Sequence, residues 1–131
     1  MPKRYPALDL GPLPVDLINR TLGTELDPGR VRLSARAHRH LAEDHPDDYR
    51  TCMAALPGAI AAPTYIGQAP RHSRNIELVK RVRGVLGWMV LVAVGLEPDK
   101  RGDYRVRSSY LVRESAVEGR RLRRHLFTPK R

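Results

Sequence analysis

Two consecutive segments leave this chain little choice but to build a β-sheet. Trp88–Leu96 is apolar on both of its faces, as a strand covered from both sides must be. It is far too short to cross a bilayer. After a turn at Pro98–Gly102, the segment Tyr104–Arg113 alternates. Tyr104, Val106, Ser108, Tyr110 and Val112 point one way, and Arg105, Arg107, Ser109, Leu111 and Arg113 point the other. Thr64–Gln68 and Asn75–Val82 read as two further strands, with a loop at Ala69–Arg74 and a turn at Gly84–Gly87. Short connections between successive strands predict an antiparallel meander of four.

Helical signals precede the strands. Ser34 is placed to cap a helix running through Asp44, and Pro46 disfavours helical geometry at His45. Pro46, Asp47 and Asp48 suit the first turn of a second helix, where the helix dipole favours anions. Tyr49, Cys52, Met53 and Leu56 give it a core-facing stripe, and Pro57–Gly58 is expected to end it. Residues 1–30 are rich in Pro and Gly and read as a loosely packed arm, with one short helix at Val15–Arg20. Val31–Leu33 reads as a short edge strand. Ser115 and Glu118 have capping-box spacing, so the basic C-terminal segment is expected to open as a helix. The expected architecture is α+β: residues 31–131 as a single domain, its N-terminal helices packed on a four-stranded antiparallel sheet, with a basic C-terminal segment.

Charge then narrows function. Of the 131 residues, Met1–Pro70 carries eight basic and eight acidic side chains, whereas Arg71–Arg131 carries sixteen and six. The whole formal net charge of +10 therefore belongs to the second half, and a field of that kind gathers polyanions. If helices cover the face bearing Tyr104 and Val106, then Arg105, Arg107, Ser109 and Arg113 form a phosphate cradle on the other face. The loop bearing Arg71, His72 and Arg74 supplies further candidate contacts. Met1–Leu10 has charge but no following apolar block, so no secretory signal is expected. The single Cys52 excludes an internal disulfide and fits a reducing cytoplasm.

Acid–base chemistry needs a group that exchanges protons near neutrality, and histidine is the usual one. His45 lies at the break between the two helices with Asp44, Asp47 and Asp48 close by; His40 has Asp44 four residues on, as a pair on one helix face. His38 and His45 stand two turns apart, about 10 Å, too far to share one metal ion. No metal or cofactor is expected. Lys80 lies in line with the apolar Ile76, Leu78 and Val82, either passing the sheet edge or serving as a cation at a site rim.

The segments His40-Leu-Ala-Glu-Asp-His45-Pro46 and Pro63-Thr-Tyr-Ile66, the strand with Lys80, the apolar strand and Ser108-Ser109-Tyr110 together resemble the phage-associated members of the barnase–EndoU–colicin–RelE-like nuclease superfamily. The resemblance covers Val31 to Leu126. It implies a small metal-independent RNase with RNA on the exposed sheet face and a neutralising antitoxin or immunity protein as partner, for which electrostatic complementarity makes an acidic protein the expected form. It carries roles to His45, Lys80, Ser109 and Tyr110. RNA can be cut by its own 2′-hydroxyl, so such an enzyme needs only to align the phosphate, move protons and stabilise charge. The expectation is an endoribonuclease of toxin type, with tRNA or another structured RNA as substrate and a 2′,3′-cyclic phosphate as product. His45 would transfer the proton, with His40 as the alternative, and Lys80 and Arg107 would hold the phosphate. Ser109 or Tyr110 would contact a phosphate oxygen or relay a proton. Action in the cytoplasm, after delivery or local synthesis, and no membrane partner complete the expectation. Two other readings use the same charge: a non-catalytic RNA- or DNA-binding module, and a structural phage or ribosome-associated protein.

Overall fold

The computed structural model describes residues 5–69 and 72–130. Among them the chain order is β1 (Leu8–Pro12), α1 (Val15–Leu22), β2 (Arg30–Leu33), α2 (Ala35–Asp44), α3 (Tyr49–Ala61), β3 (Tyr65–Ala69), β4 (His72–Arg81), β5 (Trp88–Gly95), β6 (Tyr104–Arg113), α4 (Glu114–Leu122) and β7 (Leu126–Phe127). The seven strands form one sheet in the order β1-β2-β6-β5-β4-β3-β7.

The expected sheet of four antiparallel strands is therefore corrected to a mixed sheet of seven. The four strands read from the sequence form its middle, and three short strands extend it. On one side β2 pairs with β6 in parallel, Val31 opposite Tyr104 and Arg32 opposite Arg105, and β1 adds antiparallel to β2. On the other side β7 pairs antiparallel with β3. The contacts that set β2 in place are close ones. The Tyr104 hydroxyl donates to the Asp27 carbonyl at 2.6 Å, and a side chain at Gly29 would strike both the Gly102 carbonyl and the Tyr104 ring.

The Pro/Gly-rich segment is not a loose arm where it is described. It supplies β1 and α1, and Leu13, Val15 and Ile18 are buried in the main core with Val31, Leu33, Leu56, Ile60, Val92 and Val94. Helix α3 also outruns its expectation. Pro57 removes one rung of the helical ladder, yet the helix continues to Ala61 because Leu56, Ala59 and Ile60 are all fully buried beneath it.

A β-bulge in β6 has the largest consequence for function. Ala93 faces Ser108 across the β5–β6 ladder while Val94 faces Val106, so Arg107 is an extra residue. One inserted residue reverses the side-chain parity beyond it. Before the bulge Tyr104 and Val106 face the main core; after it Ser109 and Leu111 do, and Tyr110 and Val112 join the smaller core on the opposite face. The predicted cradle of Arg105, Arg107, Ser109 and Arg113 is thus divided between two faces.

That opposite face is not open either. The basic C-terminal segment folds as α4 and β7, laying Val117 and Leu126 on Val79, Met89, Leu91 and Ala93. Close approach makes this possible at Gly67, where a Cβ would run into the His125 carbonyl oxygen and the Leu126 side chain. Gly67→Ala is expected to cost about 1–3 kcal/mol, the usual range for overpacking. An earlier urea midpoint and faster amide exchange at Leu126 and Phe127 would report it.

Candidate functional site

The site forms where β2 leaves the sheet. Beyond Leu33 no strand among the described residues pairs with that edge of β6; the chain turns at Ser34, whose hydroxyl accepts from the Ala37 N–H at 3.1 Å, and α2 runs on beside β6. Further along, the Asp48 carboxylate accepts the Leu111 N–H at 3.1 Å, closing part of the exposed edge. Helix and strand thus run side by side for the length of α2, about 15 Å.

Between them lies a cleft of about 430 Å³. One wall is the face of α2 that carries Arg36, His40 and Asp44 at successive four-residue steps, with Ser34 and Ala37. The other is β6 with Arg105, Val106 and Arg107. The His40 Nδ1 stands 3.9 Å from the Asp44 carboxylate, both side chains more than half exposed. Arg105 also lies 4.0 Å from Asp99, whose carboxyl is held below its ordinary range by the Asp103 backbone N–H, then by that of Arg101 and by the charges of Arg105 and Arg101. Arg107 lies over Gly95, where an added Cβ would come within 3.1 Å of its Nε.

The cleft combines an imidazole, a carboxylate beside it and three guanidiniums around one solvent-open volume. Guanidiniums bind phosphate oxygens in pairs, and an imidazole in their midst can exchange a proton with a bound hydroxyl.

The other predicted residues scatter. His45 caps the end of α2 and is exposed, its ring 5.7 Å from that of Tyr110 and tilted 32°. Tyr110 faces the smaller core; burial raises the pKa of its phenol and Glu77 adds to that, while Arg120 opposes. Lys80 lies on the helix-covered face, donating from Nζ to the Ala62 carbonyl at 2.7 Å, and so terminates α3. It is two strands from β6, roughly 10 Å at the usual spacing. Ser109 is 1% exposed and turned toward Cys52, whose thiol pKa burial pushes up. Neither Lys80 nor Ser109 lines the cleft. Arg113 stacks 4.5 Å over the Trp88 ring at the far end of β6, and Arg74 is exposed at the start of β4. Arg71 and the side chain of His72 lie outside the described residues.

Arg36 was the cleft residue not foreseen. Its signal was present, because it precedes His40 by four and so extends the His40–Asp44 face. His38 takes a different part. Its Nδ1 lies 2.8 Å from the Pro6 carbonyl and its Nε2 2.7 Å from the Tyr49 hydroxyl, which ties the N-terminal segment to both helices. Among the described residues no group of three or more His, Cys, Asp or Glu side chains is placed to hold a metal ion, and no helix is long and apolar enough to cross a membrane.

Fold and site together define an α+β protein with an arginine-rich cleft at a sheet edge. Comparison with protein-family models, with curated proteins and with solved structures gave no match.

Proposed function

We propose that the chain is a metal-independent endoribonuclease whose reacting phosphate sits in the α2–β6 cleft. The observation that carries this is the convergence of His40 and Asp44 with Arg36, Arg105 and Arg107 around one volume. In this reading Arg105 and Arg107 take the phosphate oxygens and offset the charge that builds on them. Neutral His40 takes the proton from the ribose 2′-hydroxyl as the 2′-oxygen bonds to phosphorus. The bond from phosphorus to the 5′-oxygen breaks, and that oxygen takes a proton from solvent. The products are a 2′,3′-cyclic phosphate and a free 5′-hydroxyl. Asp44, 3.9 Å from the imidazole Nδ1, presents its carboxylate to the ring that has taken up the proton. The resemblance to the phage-associated nucleases supports the same reaction class, with the acid–base role moved from His45 to His40. An acidic inhibitor is the expected partner, since its charge would complement the cleft.

Incubation of the protein with total tRNA in EDTA tests the proposal. Discrete fragments ending in 2′,3′-cyclic phosphate are expected. Retention of intact RNA with a steep salt dependence would overturn it in favour of a non-catalytic nucleic-acid-binding module.

A further inference from the structure

The hairpin joining β4 to β5 holds out the most exposed large apolar side chain among the described residues. Leu86 is 100% exposed. It lies between Gly84 and Gly87, both at positive φ (81° and 83°), a conformation glycine adopts without strain and in which no neighbouring side chain shields the tip. Trp88 follows at the base of the hairpin, half-buried, with the Arg113 guanidinium over its ring.

Basic groups surround this tip. Arg81 and Arg83 are on the hairpin and Arg50 reaches it from α3; Glu114, the acidic side chain beside the tip, is taken up by Arg81. Between the hairpin and α3 lies a cavity of about 380 Å³. Its walls include Ala54, Ala55, Val82 and Val85, and Arg50 and Arg83 stand among them. An apolar tip flanked by Arg83, with Arg50 across the adjoining cavity, is the chemistry of an interfacial anchor: the tip enters the acyl boundary while the guanidiniums hold lipid phosphates. The sign of the charge selects anionic lipid over zwitterionic.

We infer that this hairpin docks on an anionic lipid bilayer, with Leu86 below the headgroups and Arg50 and Arg83 sharing a lipid phosphate at the cavity. The expectation of no membrane partner rested on the lack of a spanning segment, which surface docking does not require. No residue is shared with the α2–β6 cleft, so the inference stands apart from the proposed nuclease activity.

Trp88 is the only tryptophan in the chain and makes the full-length protein its own reporter. Phosphatidylcholine vesicles with phosphatidylglycerol are expected to shift its emission to the blue, and brominated acyl chains to quench it; phosphatidylcholine alone does neither. Leu86→Asp is expected to lower partitioning about tenfold, as loss of one buried leucine should, with the fold intact because Leu86 packs on nothing. Arg50→Glu with Arg83→Glu is expected to do the same. Sedimentation with anionic vesicles without quenching of Trp88, and unaltered in Leu86→Asp, would reduce the effect to net charge and overturn the inference. So would an equal blue shift from inorganic phosphate, or no binding at all, which would leave an apolar pocket of another protein as the occupant.

Discussion

Replacing His40 by alanine is expected to cut tRNA cleavage about 10²–10⁴-fold, the usual share of one general acid–base group. RNA affinity should hardly change, because the phosphate contacts are assigned to arginine. The side chain is 52% exposed, so the variant should fold. Asp44→Asn is expected to fall between the wild type and His40→Ala, since Asp44 acts through the imidazole and not on the RNA. It should lower kcat while leaving KM near the wild-type value. Arg105→Ala with Arg107→Ala should behave differently again, weakening binding and flattening its salt dependence by about one to two counterions. Cleavage by His40→Ala at the wild-type rate would remove the histidine from the mechanism. Were the arginine pair then still required, the cleft would be a binding site only.

How much of this was legible beforehand depends on range. The Trp88–Leu96 and Tyr104–Arg113 strands and the Ser34 cap are local patterns, and they stand nearly where the sequence puts them. The sequence pattern ends α3 at Pro57, but local propensity is overridden where Leu56, Ala59 and Ile60 are buried beneath the chain, and the helix runs on to Ala61. The pairing of Val31 with Tyr104 was invisible, since it joins residues far apart in sequence. That pairing is what carries α2 to the edge of β6, so it also creates the cleft. His40 and Asp44 could be read as neighbours from their spacing, and Arg105 and Arg107 as exposed strand residues. Their meeting could not. The bulge at Arg107 is the sharpest case, because one extra residue leaves the sequence pattern looking unbroken while it turns Ser109 from the predicted RNA face into the core.

Arg120→Met is expected to destabilise the protein by about 3–5 kcal/mol, as the loss of one partner of a buried ion pair does. Arg120 of α4 bonds the Glu77 carboxylate on β4, and the two side chains are only 19% and 8% exposed. Glu77 stands opposite Ala93 on β5, a residue small enough to leave room for the arginine to descend onto the sheet. Removing the guanidinium strands a carboxylate where water scarcely reaches it, beside a Tyr110 hydroxyl already shielded by burial. The double variant Glu77→Leu with Arg120→Met removes both charges and their desolvation cost, and should recover most of the loss or exceed the wild type. Urea unfolding of the two single variants and the double variant closes the cycle, with a coupling of several kcal/mol expected. A loss below about 1 kcal/mol in Arg120→Met would mean that the pair is solvated. In that case the packing of Val117 and Leu126, with the β3–β7 pairing, would hold α4 and β7 on the sheet. The size of the coupling therefore decides whether the C-terminal basic segment is fixed by charge or by packing. A charge-fixed α4 has its Arg120 engaged with Glu77 and withdrawn from any bound polyanion.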